Sequence, residues 1–228
     1  MLKLYIANKN YSSWSLRPWL LLSELGIPFE EELVCFEGNL NFDAFKKFAP
    51  NAKVPCLYDG ELVVWDSLAI CEYIAESHGN VWPSNQHAKA WARCVASEMH
   101  SGFSALRSIC GMSVGVRATL KESPVELLQD MSRINEIWNE GLEKFGGPFL
   151  AGENFTAVDA FYAPVVFRIR TFNLKLEGES AEYCNRILSL DSMKRWEEEA
   201  IAETARDVDH EAELAEVAII TRDERACS

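Results

Sequence analysis

Pro18 lies near the start of an apolar run, residues 16–25, that stops at Gly26, and this arrangement constrains the chain more than any other feature. A proline is tolerated in a helix where its missing N–H has no partner, which is the first turn. The helix is therefore expected to begin between Trp14 and Arg17, with Ser15 the best chemical choice of N-cap. Ser12 and Ser13 then sit just before a helix N-terminus, where free N–H groups and the positive end of the dipole stabilise an anion. Equally, the serines fit a role as cap and turn residues alone. Leu20, Leu21 and Leu22 make the helix apolar over much of its circumference, so it is expected to be covered on more than one side.

The elements around this helix build one unit. Residues 2–7 read as a strand, and residues 29–36, after Gly26-Ile27-Pro28, as a second. A β-α-β order implies parallel pairing through a right-handed crossover. Residues 39–48 form a short, loosely helical segment. Residues 54–58 and 62–65 read as a hairpin turning at Asp59-Gly60, and Pro55 suits either a strand entrance or a cis bend. Asp66-Ser67 caps a helix over residues 68–78. The order β-α-β-α-β-β-α predicts a thioredoxin-like α/β domain with a mixed four-stranded sheet, residues 1–80.

Turn formers at 79–86 read as a linker. Helical periodicity then runs through residues 87–111 and 124–145. Thr156 and Asp159 form a capping box opening an apolar helix over 157–172. Shorter helices are expected near 181–190 and 192–205. No strand signal recurs, so an all-helical domain is expected over residues 87–205. Residues 206–228 read as a docked helix or a frayed tail.

Charge and cysteines narrow the function. Lys plus Arg number 22 against 35 Asp plus Glu, a formal net charge of −13, which argues against nucleic-acid and anionic-membrane binding. No apolar run is long enough to span a bilayer. The opening Met-Leu-Lys-Leu-Tyr-Ile lacks the form of a signal peptide. The 7 cysteines show no paired spacing, so reduced thiols in the cytoplasm are expected rather than disulfides or a metal site.

A thioredoxin-like half, a Trp82-Pro83 linker and a helical half resemble the cytosolic glutathione transferases. The motifs that carry the resemblance are four. Ser12-Ser13-Trp14-Ser15-Leu16-Arg17 is similar to the serine motif of the zeta class, the maleylacetoacetate isomerases. Val54-Pro55 is similar to the family's cis-proline step, and Asp66-Ser67-Leu68-Ala69-Ile70 to its acidic/Gln-Ser-x-Ala-Ile motif. Gly152 followed by Thr156 and Asp159 is similar to its capping box. The stretch 97–103 also resembles a bacterial zeta-like subgroup.

The resemblance implies a glutathione S-transferase that conjugates glutathione, its co-substrate, to small hydrophobic electrophiles and works as a homodimer. It implies that Ser12, or Ser13 if the register moves by one, donates a hydrogen bond to the glutathione thiolate. Val54 would pair its backbone with the cysteinyl part, turned outward by a cis Pro55. Ser67 would take the γ-glutamyl carboxylate, Asp66 the ammonium, and Lys53 the glycine carboxylate. Met99, His100 and Phe103 would border the second substrate. Two other readings stand beside this one: a glutathione-dependent cis-trans isomerase, and a non-catalytic binding or scaffold module on the same fold.

Overall fold

β1 (Leu2–Ile6) is the central strand of the N-terminal half, with Leu4 and Ile6 fully buried. In this computed structural model, which describes residues 1–38 and 41–226, it is followed by α1 (Ser13–Glu24), β2 (Phe29–Leu33), α2 (Asn41–Lys46), β3 (Cys56–Asp59), β4 (Leu62–Val64) and α3 (Ser67–Ser77). The strand order is β2-β1-β3-β4. β1 runs parallel to β2 and antiparallel to β3, and β3 and β4 form the hairpin. This is the mixed thioredoxin-like sheet expected from the sequence.

Boundaries differ where local chemistry competes. β2 ends at Leu33, although Val34 N–H still reaches the Ile6 carbonyl at 2.9 Å. Its exposed run Glu30, Glu31, Glu32 forms the free edge of the sheet, where charge discourages pairing with another chain. The expected helix at 39–48 is α2, and positions 39 and 40 lie outside the described residues. α1 starts earlier than expected. Its N-cap is Ser12, not Ser15, and Pro18 sits inside the helix. The proline's missing N–H falls opposite the Trp14 carbonyl, one turn back, so the helix gives up one bond in its interior rather than starting later.

The helical half comprises α4 (Gln86–Ser101), α5 (Ser104–Ile109), α6 (Val125–Phe145), α7 (Ala157–Phe172), α8 (Ser180–Ser189), α9 (Asp191–Ala202) and α10 (Val208–Val217). The capping box opens α7: Asp159 accepts from Thr156 N–H at 2.9 Å and Leu150 N–H at 3.0 Å. α7 is buried along nearly its whole length and packs on α1, α4 and α8. α1 thus lies between the sheet and α7, which explains why it is apolar on so many sides.

Two expectations for this half are corrected. Residues 87–111 are two helices, not one. Gly102 N–H closes α4 on the Glu98 carbonyl at 2.8 Å, and Phe103 takes a left-handed φ of 55° before α5 begins. The second half is also not purely helical. β5 (Val116–Leu120) pairs antiparallel with β6 (Ala218–Asp223). Val116 and Ala118 turn into the core, a strand alternation too short to stand out between helical runs. The tail beyond residue 205 is docked as α10 and β6. No helix among the described residues is long and apolar enough to cross a membrane.

Candidate functional site

The turn that carries Ser12 is held from both halves of the molecule. Ser12 N–H and Tyr11 N–H both donate to the Asn8 carbonyl, at 2.8 and 3.1 Å, while Asn8 Oδ1 accepts from Phe36 N–H at 2.7 Å. From the helical half, Glu203 accepts from Lys9 N–H at 2.6 Å and Asn10 N–H at 3.2 Å. Trp196 Nε1 donates to the Lys9 carbonyl at 2.9 Å, and Asn10 Oδ1 accepts from Gly115 N–H at 3.2 Å. Four residues remote in sequence, Phe36, Gly115, Trp196 and Glu203, thereby fix where α1 begins.

Ser12 and Ser13 open onto a cavity of about 760 Å³ between the two halves. Lys53 and Val54 stand on the same wall, from the segment before β3. Opposite them are Ser104, Arg107 and Met112 of the α4–β5 region, and Arg168 of α7. Ser12 is an N-cap whose side chain accepts no backbone N–H of its own helix. N-cap serines ordinarily spend their oxygen on the N–H of the second or third residue. Here the Ser12 Oγ lies 2.6 Å from Ser15 Oγ instead. The N–H groups of Trp14 and Ser15 in the first turn have no intrahelical acceptor, so the helix end keeps its affinity for an anion.

Val54 precedes β3, and its peptide bond to Pro55 is cis. Among the described residues its backbone makes no hydrogen bond, which leaves an N–H and a carbonyl available for an added strand. Lys53 is exposed beside it.

Asp66 and Ser67, at the N-terminus of α3, do not line the cavity wall. Asp66 caps α3 by accepting from Leu68 N–H at 3.0 Å, and its second oxygen lies 3.2 Å from His100 Nε2. The Ser67 Oγ is fully buried without a hydrogen-bond partner. His100 is half-buried, with its ring edge-on to Trp14 at 5.1 Å. Burial lowers its pKa from the ordinary value, more than the Asp66 carboxylate raises it. Met99 is in the core, 1% exposed, and Phe103 is buried as the residue that starts α5. Neither lines the wall, whereas their neighbours Ser101, Gly102 and Ser104 do.

The sequence reading did not single out Tyr11, Arg107, His210 or Glu213, all of which line the cavity. The Tyr11 hydroxyl donates to Glu211 at 2.7 Å, and burial followed by that carboxylate raises its pKa. Its proton is thus committed to Glu211 rather than to the cavity. The Trp14 ring lies between two guanidinium groups, Arg17 at 4.1 Å and Arg107 at 4.4 Å. Burial, then the Arg107 and Arg168 charges, bring the Arg17 pKa down to about 9. Burial likewise brings Arg168 down to about 10. Among the described residues none of the three arginines forms a salt bridge. In a chain of formal charge −13, this makes the cavity locally positive. Among the described residues no cluster of His, Cys, Asp and Glu suits a metal ion.

Residues 11–77 match the family model described as glutathione S-transferase, N-terminal domain, and residues 89–197 match glutathione S-transferase, C-terminal domain. The chain is 27% identical over 173 residues to the glutathione S-transferase-like protein OpS6 of Beauveria bassiana, covering 72% of this chain and 77% of that protein. It is 25% identical over 182 residues to a probable maleylacetoacetate isomerase of Caenorhabditis elegans, covering 76% and 81%. In fold it is similar to a glutathione transferase homolog from Burkholderia GL BGR1 solved with bound glutathione. That similarity has a TM-score of 0.67 and 17% identity, and covers 87% of this chain and 97% of that one.

Proposed function

The chain belongs to the glutathione S-transferase family, and on that premise we propose that it binds glutathione with the sulfur against Ser12 and transfers the thiolate to a small hydrophobic electrophile. The observation that carries the assignment of Ser12 is the N-cap hydroxyl that does not cap its own helix and opens onto the cavity.

The reaction needs a thiolate, because the thiol is a poor nucleophile. An unperturbed thiol has a pKa of about 8.5. A hydrogen bond to a charged group contributes roughly 1.5–3 kcal/mol, and a helix N-terminus roughly 0.3–1 kcal/mol. At about 1.36 kcal/mol per pKa unit, together they lower the pKa by about 1.3–3. The sulfur is then largely ionised at neutral pH, and the Arg107 and Arg168 charges on the same cavity act in the same direction. Ser12 is a donor to the thiolate, not an attacking group. Tyr11, the adjacent hydroxyl, is held by Glu211 and does not compete for this role.

The rest of the peptide follows from the groups left free. The Val54 backbone pairs with the cysteinyl unit as an added strand. The γ-glutamyl end reaches beyond the cavity wall to the α3 N-terminus, where Ser67, whose buried hydroxyl has no partner among the described residues, takes its carboxylate once the bound peptide opens a path to it. Asp66 takes the ammonium, and Lys53 the glycine carboxylate. The electrophile meets the sulfur on the side of Trp14, Ser104 and Met112. His100 borders that space through Trp14, while Met99 and Phe103 shape it from behind. Similarity to a probable maleylacetoacetate isomerase favours a second reading, in which addition of the thiolate turns the substrate's double bond into a single bond, rotation follows about that bond, and elimination re-forms the double bond and releases glutathione. Exposed Leu62 and Trp65 beside Asp66 support a homodimer formed near that edge. The six cysteines among the described residues are all free, which supports a reducing compartment such as the cytoplasm.

The deciding test is an ultraviolet difference titration of bound glutathione. In the wild type the bound thiol should ionise about 1.3–3 pKa units below free glutathione, and Ser12→Ala should raise it by about 1.1–2.2 units, leaving only the part due to the helix N-terminus and the nearby arginines. If Ser13→Ala has that effect instead, the register is off by one. If glutathione does not bind, the transferase reading fails and a scaffold role replaces it. Sedimentation tests the dimer, and incubation with maleylacetoacetate separates isomerisation from conjugation.

A further inference from the structure

Ser15 is fully buried in the first turn of α1, and its hydroxyl makes two contacts. Its Oγ accepts from Ala7 N–H at 3.3 Å and lies 2.6 Å from Ser12 Oγ. We propose that Ser15 is a positioning residue that hands its proton to the Ser12 oxygen and so directs the Ser12 proton at the glutathione sulfur.

The argument is an accounting of protons. A serine hydroxyl has one proton and two lone pairs. Ala7 N–H can only donate, so it occupies one lone pair of Ser15. Only one proton can lie between the two serine oxygens. If Ser12 supplied it, the Ser15 proton would be buried with no other acceptor among the described residues, a state that folded proteins avoid. If Ser15 supplies it, every group on Ser15 is satisfied. The Ser12 proton is then left for whatever occupies the cavity. The result is a chain running from the end of β1 to the sulfur: Ala7 N–H to Ser15, Ser15 to Ser12, Ser12 to the thiolate. Each bond in such a chain polarises the next, so Ser12 becomes a stronger donor than an isolated serine. The Tyr11 carbonyl one turn back accepts from Ser13 N–H at 2.8 Å and, among the described residues, takes no bond from the Ser15 hydroxyl, whose contacts are Ala7 N–H and Ser12 Oγ.

The inference rests on Ser12 holding the thiolate, and its test separates the two ideas. Glutathione thiol ionisation is titrated in the wild type, Ser12→Ala, Ser15→Ala and the double variant. Affinity for S-methylglutathione, which has no ionising thiol, is measured alongside. Ser15→Ala should raise the bound thiol pKa by about 0.4–1, the effect of one neutral hydrogen bond, with S-methylglutathione affinity unchanged. In the Ser12→Ala background the same substitution should add nothing, because Ser15 acts only through Ser12. Ser15→Cys, close in volume and a weak donor, should fall between the wild type and Ser15→Ala. A Ser15→Ala pKa equal to the wild type overturns the proposal. So does an equal further rise in the Ser12→Ala background, which would mark a general disturbance of the turn. If Ser12→Ala itself leaves the pKa unchanged, the Ser12 assignment fails and takes this proposal with it.

Discussion

At His100 two opposing effects meet in one side chain. Burial disfavours its charged form, Asp66 favours it, and burial prevails. His100 is therefore neutral at neutral pH, and its contact with Asp66 is a hydrogen bond that leaves the carboxylate's charge uncancelled. That matters because Asp66 is the proposed partner of the glutathione ammonium. As pH falls through the lowered pKa, His100 gains a proton and competes for Asp66. Affinity for S-methylglutathione should therefore weaken as pH drops from about 7 toward 5, below the ordinary histidine value of about 6.5. His100→Gln should flatten that limb, and calorimetry across the range checks it. The sign for stability is the same. The unfolded chain takes up this proton at higher pH than the folded one, so the folded state loses stability as pH falls below about 6.5. At this scale the sequence singled out Ser12, Val54, Asp66 and Ser67 as candidates, because each stands at an element boundary marked by a cap or a proline. It did not expose the role of Ser15, which looked like a cap. Its proposed role rests on the 2.6 Å approach to Ser12 Oγ, which only the folded turn creates.

Between elements, Gly141 lets α6 approach Trp91 of α4 and the turn before α7. A Cβ built on Gly141 would lie 2.4 Å from the Trp91 ring and 2.5 Å from the Leu150 carbonyl oxygen. In an isolated helix Gly→Ala is favourable by about 1 kcal/mol. Here the ring is wedged between helices and the carbonyl belongs to the backbone, so overpacking of about 1–3 kcal/mol works against that gain. Gly141→Ala should be neutral to destabilising by about 2 kcal/mol, and urea unfolding reads the difference. Stabilisation by about 1 kcal/mol would mean that the two helices separate easily. Helices such as α6 and α7 were legible because each carries its own apolar period or capping box. β5 was not, because five residues, Val116–Leu120, take their strand identity from β6, about a hundred positions away. The break between α4 and α5 was equally hidden, since it depends on a left-handed conformation at Phe103, a residue type with no local preference for it.

Across the whole molecule, the tail ties the two halves together at the mouth of the cavity. The ring of His210 on α10 stacks on Tyr11 at 5.0 Å and lies 5.1 Å from Phe36. Arg225, buried beyond β6, donates to Glu211 at 3.0 Å, to Asp223 at 2.7 Å and to the Tyr11 hydroxyl at 3.1 Å. Tyr11 immediately precedes Ser12, so this cluster joins the last residues of the chain to the proposed thiolate site. The composition of the tail gave no sign of this, because every contact is with residues far away in sequence. Removing Arg225 leaves two carboxylates close together without their cation. Glu211 and Asp223 keep part of their contact with water, so breaking the network costs about 1–3 kcal/mol, less than for a fully buried pair. α10 and β6 can detach without unfolding α7, so the loss should appear as local opening rather than global melting. In Arg225→Ala, amides of α10, β6 and β5 should exchange roughly 10-fold faster or more, while those of α7 stay as in the wild type. Uniform acceleration through α7 would instead make the tail an inseparable part of the core. Acid should act in the same way. Burial pushes the Glu211 carboxyl up, but Arg225 and Tyr11 more than offset it, so its pKa lies below the ordinary value. Bonds from Arg225 lower Asp223 as well. The stability these carboxylates contribute is present above their unfolded pKa, about 4, and is lost as pH falls through the lower folded values. The same amides should therefore lose protection first on acidification, with the Tyr11 end of the cavity opening before the sheet does.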